Sequence, residues 1–405
     1  MRAPRHIRGA NRDDRNETMP LSPDTRQPAP HSHSLTFDAN PAYKAYLDTA
    51  FALGILATDL DVRNLLSRYY LNLGAPTDQA AHQSGACQLY ITPWNTIARF
   101  CTFGLLRERL PPFDISQASR AAIVEWAVHM LSRGIYVYAT VNDCFIPGTR
   151  AHAAREAYNH PCLVTACDRA AQTFTVSTYL ADGTYGSTLV SYAALSRAFT
   201  ERGDPRRMSD LHFYEPVLHG IVRADTPFGL QVFDPLATAS AMVNYVECRL
   251  DKYAICEQEV YGLNAVAAFV QRLALAVRAG DELDLRGTRT LMEHRRILVS
   301  VLDYAREQLQ LADLERIERA FKALESWAAT LHSLAFDHQQ TRGAARGRGG
   351  EARLLKHIGE IGRMVRMDKR ASLDFIDALI PLDLRDVAAR AGRSDPGRIW
   401  QRRPG

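Results

Sequence analysis

A histidine opening an apolar run is the residue of this chain best placed to do chemistry. His160 stands in Tyr158-Asn159-His160-Pro161-Cys162-Leu163-Val164-Thr165-Ala166-Cys167-Asp168, and after a polar break a second β-patterned run follows from Thr173 to Tyr179. The two runs read as a hairpin with His160 at the mouth of its first strand. A neutral imidazole takes and returns a proton near physiological pH, so a histidine fixed there suits a general base. The same place suits a strand-end histidine bonded to backbone. A base of this kind works with a nucleophile and an orienting group. Among the seven cysteines, Cys87, approached by Ser84-Gly85-Ala86, is the candidate nucleophile. Cys101 lies inside a helix-like run and reads as a core thiol. Cys144 follows Asp143 at the end of the strand before the hairpin, and side-chain alternation lets only one of these two face a cleft. Cys162 and Cys167 read as buried small residues. The return strand offers Ser177 and Thr178 where an orienting carboxylate or amide is expected. Asp182, in the following turn, is therefore the candidate, while Asp168 reads as a turn residue. Asp143, Cys144 and Tyr158 are candidate substrate contacts. Glu293-His294, with no second histidine at metalloprotease spacing, reads as a polar helical face, and no metal or cofactor is expected.

These groups must be held by the elements around them. Residues 38 to about 135 read mostly helical. Asn40-Pro41 suits a helix start, Asp61 to Leu73 is a second amphipathic run, and Ala75 to Gly85 reads as a linker. Leu89-Tyr90-Ile91 is a short strand, and Ile97 to Arg109 and Ser119 to Arg133 are further helices. Ile135 to Val141 is a strand by composition and leads through Pro147-Gly148 towards His160. Ser191 reads as the cap of a helix over Tyr192 to Thr200. Leu211 to Val222 and Phe228 to Phe233 read as strands, and Asp234-Pro235 starts a helix. Beyond about residue 255 apolar residues recur at three-four spacing over Val260–Arg278, Asp284–Gln308, Leu311–Gln339 and Glu351–Leu379. Gly343 to Gly350 is a flexible break.

The chain has 405 residues, 46% of them hydrophobic, enough for one large or two ordinary cores. The cysteines form no Cys-x-x-Cys or zinc-spaced cluster, which fits a reduced, cytoplasmic protein. No apolar stretch approaches the length of a membrane span. Met1 to Ser34 lacks the apolar core of a secretory signal and reads as disordered, with Met19 an alternative first residue. Charge is unevenly placed: Gln339 to Gly405 holds 15 Lys/Arg against 8 Asp/Glu, while the preceding residues hold 34 against 37. Such a basic segment reads first as a solvated tail, and it also suits an acidic protein partner. Nucleic acid is not expected, because aromatic residues do not interleave the charges.

A histidine at a strand mouth, with helices before it in sequence, is the layout of papain-like folds. There a cysteine opens an early helix, and an Asp or Asn on the next strand orients the imidazole. The run Tyr136-Val137-Tyr138-x-x-Val141-x-Asp143-x-Phe145-Ile146-Pro147 is followed by His160-x-x-Leu163-Val164-x-x-x-Asp168, Phe174, Gly183-x-Tyr185 and Ser191-Tyr192-x-x-Leu195. Together these resemble the butirosin biosynthesis protein H family, in particular its stand-alone relatives found beside nonribosomal peptide synthetase genes. Phe233-Asp234 through Tyr245 and Leu291-x-Glu293-His294-Arg295 resemble that group's later helices, so the resemblance spans roughly residues 40 to 310. It implies a papain-like N-terminal domain, similar to bacteriocin-processing cysteine peptidases but used for acyl transfer from a carrier-protein thioester. His160 matches the family histidine and Asp143 the acidic position on the preceding strand. The nucleophile departs from the pattern, since Gln88 follows Cys87 instead of preceding it.

The resulting expectation is an α+β protein: a disordered segment over 1–37, a papain-like domain over 38–254, an all-helical domain over 255–380 with a flexible break at 342–350, and a loose basic tail over 381–405. Its expected function is acyl transfer or thioester hydrolysis in natural-product biosynthesis, with an acyl or peptidyl carrier protein as partner. The alternative is a catalytically degenerate papain-like scaffold that binds a synthetase, a carrier protein or the product.

Overall fold

The computed structural model describes residues 32–58, 60–77, 88–92, 106–108, 113–201, 217–224, 230–249, 259–312, 314–341 and 347–380. Cys87, Cys101, most of the 1–37 segment and the tail over 381–405 lie outside them. Within them, β1 (Ser32–Ser34) precedes α1 (Leu47–Leu56), α2 (Val62–Tyr69), β2 (Asn72–Pro76), β3 (Tyr90–Thr92), β4 (Leu106–Glu108) and β5 (Phe113–Asp114). Next come α3 (Arg120–Ser132), β6 (Tyr136–Asn142), a 3-10 turn (Asp143–Phe145), α4 (Arg150–Ala154), β7 (Asn159–Asp168), β8 (Thr173–Tyr179), β9 (Tyr185–Ser191) and α5 (Tyr192–Thr200). They are followed by β10 (Val217–Arg223), α6 (Pro235–Val246), β11 (Glu259–Tyr261), α7 (Gly262–Ala279), α8 (Leu285–Leu309), α9 (Glu315–Thr341), α10 (Gly347–Ile358) and α11 (Ile361–Leu379).

Many helix starts follow local chemistry. The side chains of Asp61, Ser119, Thr149, Ser191, Asp234 and Asp284 each accept an otherwise unpaired N–H of the first helical turn. Other boundaries follow tertiary contacts and correct the sequence expectation. Asn40-Pro41 does not start a helix: α1 begins at Leu47, because the N–H groups of Lys44 and Ala45 and the carbonyl of Lys44 bond to distant side chains. Leu106–Glu108 is a strand against β10 instead of a helix end. Residues 230–233 are a turn, and Ala75-Pro76 belong to a strand. Ser32–Ser34, within the segment expected to be disordered, pair with the far end of β7. Gly347 already lies in α10, and Gly359-Glu360 divide the expected helix over 351–379 into α10 and α11.

The main sheet is antiparallel, in the order β4-β10-β6-β7-β8-β9, with β1 added on β7 and β5 on β10. All seven residues of β6 are buried, so this strand is covered on both faces. Val137, Ala139 and Val141 join Ile123, Leu131, Leu195 and Phe199 of α3 and α5 in one apolar cluster. The alternate residues Tyr136 and Tyr138 join a larger cluster that takes in α1 and the later helices. Nine of the ten residues of α1 are buried, the pattern of a core helix. A second sheet, β11-β2-β3, lies against α7. The molecule is thus α+β: an antiparallel, sheet-rich N-terminal region followed by a largely helical one, α7 to α11. Among the described residues, no helix is long and apolar enough to cross a membrane.

Candidate functional site

The β6–β7 pairing carries the site. Their register sets Val141 opposite His160 and Asn142 opposite Asn159. At the end of β6 the buried Asn142 side chain accepts the N–H groups of Cys144 and Tyr158, at 3.1 and 3.2 Å, and donates to the carbonyl of Glu201 at 2.7 Å. The N–H of Asp143 bonds to the carbonyl of Tyr158 at 2.8 Å, and Thr149 Oγ1 donates to the carbonyl of Asp143 at 2.8 Å. This backbone is therefore fixed before any side chain is considered.

Asp143 Oδ2 lies 3.3 Å from His160 Nδ1, with the carboxylate 5% and the imidazole 14% exposed. The distance is that of an ion pair, but the geometry is not that of an aligned hydrogen bond. Both His160 Nδ1 and Asp143 Oδ1 are buried without a hydrogen-bond partner. Two aromatic rings flank the imidazole, Tyr158 and Tyr179, each with its centroid 5.5 Å away.

Tyr179 links this pair to the helical region. Its hydroxyl donates to the carbonyl of Lys44 at 2.6 Å. The N–H groups of Lys44 and Ala45 donate to Glu293 Oε2 of α8 at 2.8 and 2.9 Å. Glu293 Oε1 accepts from Arg289 Nε at 3.0 Å, and Arg289 Nη1 reaches the carbonyl of Gly183 in the β8–β9 turn at 2.8 Å. Burial pushes the Glu293 carboxyl above its ordinary range, against the pull of Arg289 and the two backbone donors. Burial likewise lowers the Lys44 amine. A cleft of about 250 Å³ opens beside this junction, its lining including Asn40, Lys44, Glu293, Arg296 and Ser300.

The structure brings His160, Asp143 and Tyr158 together. It does not bring Asp182 to them: its exposed carboxylate accepts the N–H and hydroxyl of Thr184, at 2.9 and 2.7 Å, which holds its pKa low. Asp168 is the last residue of β7, and its carboxylate accepts the N–H groups of Ala170 and Ala171 in the turn that follows. Cys144 lies in the 3-10 turn, half-exposed, with its carbonyl bonded to His152. Cys162 is fully buried, and burial with Asp143 nearby pushes its thiol up. Among the described residues, no thiol is hydrogen-bonded to His160. Cys87, the expected nucleophile, lies outside them. No family model matches the chain, and no curated protein does.

Sequence reasoning missed Tyr179, Lys44 and Arg289, and it gave Glu293 no part in the site. The i,i+4 spacing of Arg289 and Glu293 was the one local signal available. Glu293-His294 is not a polar surface face as expected: both are buried, and His294 Nε2 contacts the carbonyl of Leu71 at 3.1 Å. Among the described residues, no group of three or more His, Cys, Asp or Glu could hold a metal ion.

Proposed function

We propose that this chain is a papain-like scaffold of the butirosin biosynthesis protein H type that binds an acylated carrier protein, or its product, without cysteine catalysis. The observation that carries the reading is the approach to α1. In papain-like proteins a cysteine opens an early helix and backbone donors receive the developing oxyanion. Ahead of α1 stand Lys44, Ala45 and Tyr46, and the Glu293 carboxylate already occupies the N–H groups of Lys44 and Ala45. Those three residues include no thiol, and the two N–H groups at Lys44 and Ala45 are already taken. An anionic oxygen arriving there would also meet a buried carboxylate.

Thiol labelling with turnover tests the proposal. Iodoacetamide near neutral pH, followed by peptide mass spectrometry, is expected to modify all seven cysteines slowly, with no change in His160→Ala. A carrier protein loaded with an acyl thioester is expected to bind the chain and keep its acyl group. Fast labelling of one cysteine that slows in His160→Ala, or loss of the acyl group, would sink the proposal.

A second reading, acyl transfer or hydrolysis by a cysteine such as Cys87, is favoured by one observation. A histidine and a carboxylate 3.3 Å apart on adjoining segments form the acid–base half of such a site. The same labelling experiment separates the two.

A further inference from the structure

We infer that the outward face of α10 and α11 is a docking surface for an acidic protein, on the present reading a carrier protein. Arg353, Lys356, Arg363, Arg366, Lys369 and Arg370 are all exposed along these two helices. Of their acidic residues one, Asp377, is exposed: Glu351 and Glu360 are half-buried, Asp368 is buried and Asp374 is paired with Arg316. Among the described residues, Lys356, Arg366, Lys369 and Arg370 have no ion-pair partner, while Arg363 pairs with Glu360.

The cations are not placed for the benefit of their own helix. Arg363 lies in the first turn of α11, where the helix dipole disfavours positive charge, and that turn holds no acid. The opposite face of α11 is fixed rigidly. Asp368 Oδ2 is 2.7 Å from Arg295 Nη1 of α8 and 2.5 Å from the Tyr245 hydroxyl of α6, all fully buried. The outward stripe is thus presented by a helix that is already anchored, which lowers the ordering cost of docking.

The composition of the stripe favours protein over nucleic acid. Arg363, Arg366 and Arg370 are followed, at the same three- and four-residue spacing, by Leu373, 45% exposed, and by exposed Asp377. An exposed aliphatic side chain in line with the arginines suits an acidic protein surface with an apolar contact, which a phosphate backbone does not offer.

The inference rests on carrier binding as proposed above, and the experiment separates the two. Binding of the full chain to an acidic holo peptidyl carrier domain is measured by calorimetry from about 50 to about 300 mM salt. Arg366→Glu/Arg370→Glu is compared with Arg133→Glu, a reversal at the exposed arginine just after α3, and thermal melting checks that each variant folds. Binding that weakens with salt, falls roughly tenfold or more in the double variant and is unchanged in Arg133→Glu is the expected result. Wild-type binding that the double variant leaves intact would overturn this surface and leave carrier binding standing. No wild-type binding would overturn both. Duplex DNA binding more tightly than the carrier, and lost in the same variant, would assign the stripe to nucleic acid instead.

Discussion

Asp143 meets His160 through backbone that neither side chain makes. Asn142 accepts two N–H groups across the β6–β7 junction, and the carboxylate is delivered by the turn that follows. The sequence placed His160 at a strand mouth, where it stands in β7, and Asp143 on the strand before, whereas Asp143 opens the 3-10 turn that follows β6. It could not choose Asp143 over Asp182 as the carboxylate beside the imidazole, because that choice depends on strand register and on the Asx-type capture of Asp182 by Thr184. Single residues also decide a boundary further on. Gly262 has φ +58°, and a Cβ there would stand 1.9 Å from the carbonyl oxygen of Tyr245. Gly262→Ala combines left-handed strain with a clash against backbone that cannot rotate away. It is expected to destabilise the chain by about 3 kcal/mol or more, read from urea denaturation.

At the scale of elements, α6, α8 and α11 are joined by one buried polar cluster. Arg295 Nη1 reaches both the Tyr245 hydroxyl and Asp368, Tyr245 donates to Asp368, and Ser372 adds a contact to Asp368 at 3.2 Å, while Arg295 Nε is buried without a partner. Removing one partner leaves an uncompensated buried charge, whereas replacing both charges does not. Arg295→Met alone is expected to cost about 3–5 kcal/mol, and Arg295→Met with Asp368→Leu to recover most of that loss. A double-mutant cycle by chemical denaturation measures it, and additive losses would show that the pair is not the source. Periodicity made these helices legible and the N-caps marked most of their starts. The division at Gly359-Glu360 was not legible, because the apolar spacing continues across it and only packing on α9 and α7 shows where the axis breaks.

At the scale of the whole molecule, stability depends on pH through groups buried between regions. Burial holds the His294 imidazole down at about 3, against an ordinary 6.5. The unfolded chain therefore takes up a proton that the folded chain refuses. This contribution to stability is complete above about pH 6.5 and declines as the pH falls towards about 3, by about 1.4 kcal/mol per pH unit. His332, lowered to about 4 by burial, acts in the same sense. Glu293 acts in the opposite sense, since its raised carboxyl favours the folded state at low pH and loses that advantage as the pH rises. Urea midpoints for the wild type and for His294→Gln, which keeps a donor for Leu71, isolate the first term. Between about pH 7 and about pH 5 the variant is expected to lose less stability, by roughly one proton's worth of slope. Equal slopes would place the titration elsewhere.

The sequence by itself determined the α+β layout, the β7–β8 hairpin, the place of His160 at its mouth and the concentration of positive charge near the C-terminus. Each of these is written in neighbouring residues: alternation, three-four spacing, caps and local charge. Only the tertiary structure decided which carboxylate stands beside the imidazole, why no helix forms at Asn40-Pro41 and what occupies the approach to α1. The Lys44 N–H and the Glu293 carboxylate that meets it are 249 residues apart in the chain. The partner that satisfies a backbone group over that separation is set by where α8 comes to lie beside the segment ahead of α1, and no local pattern encodes it.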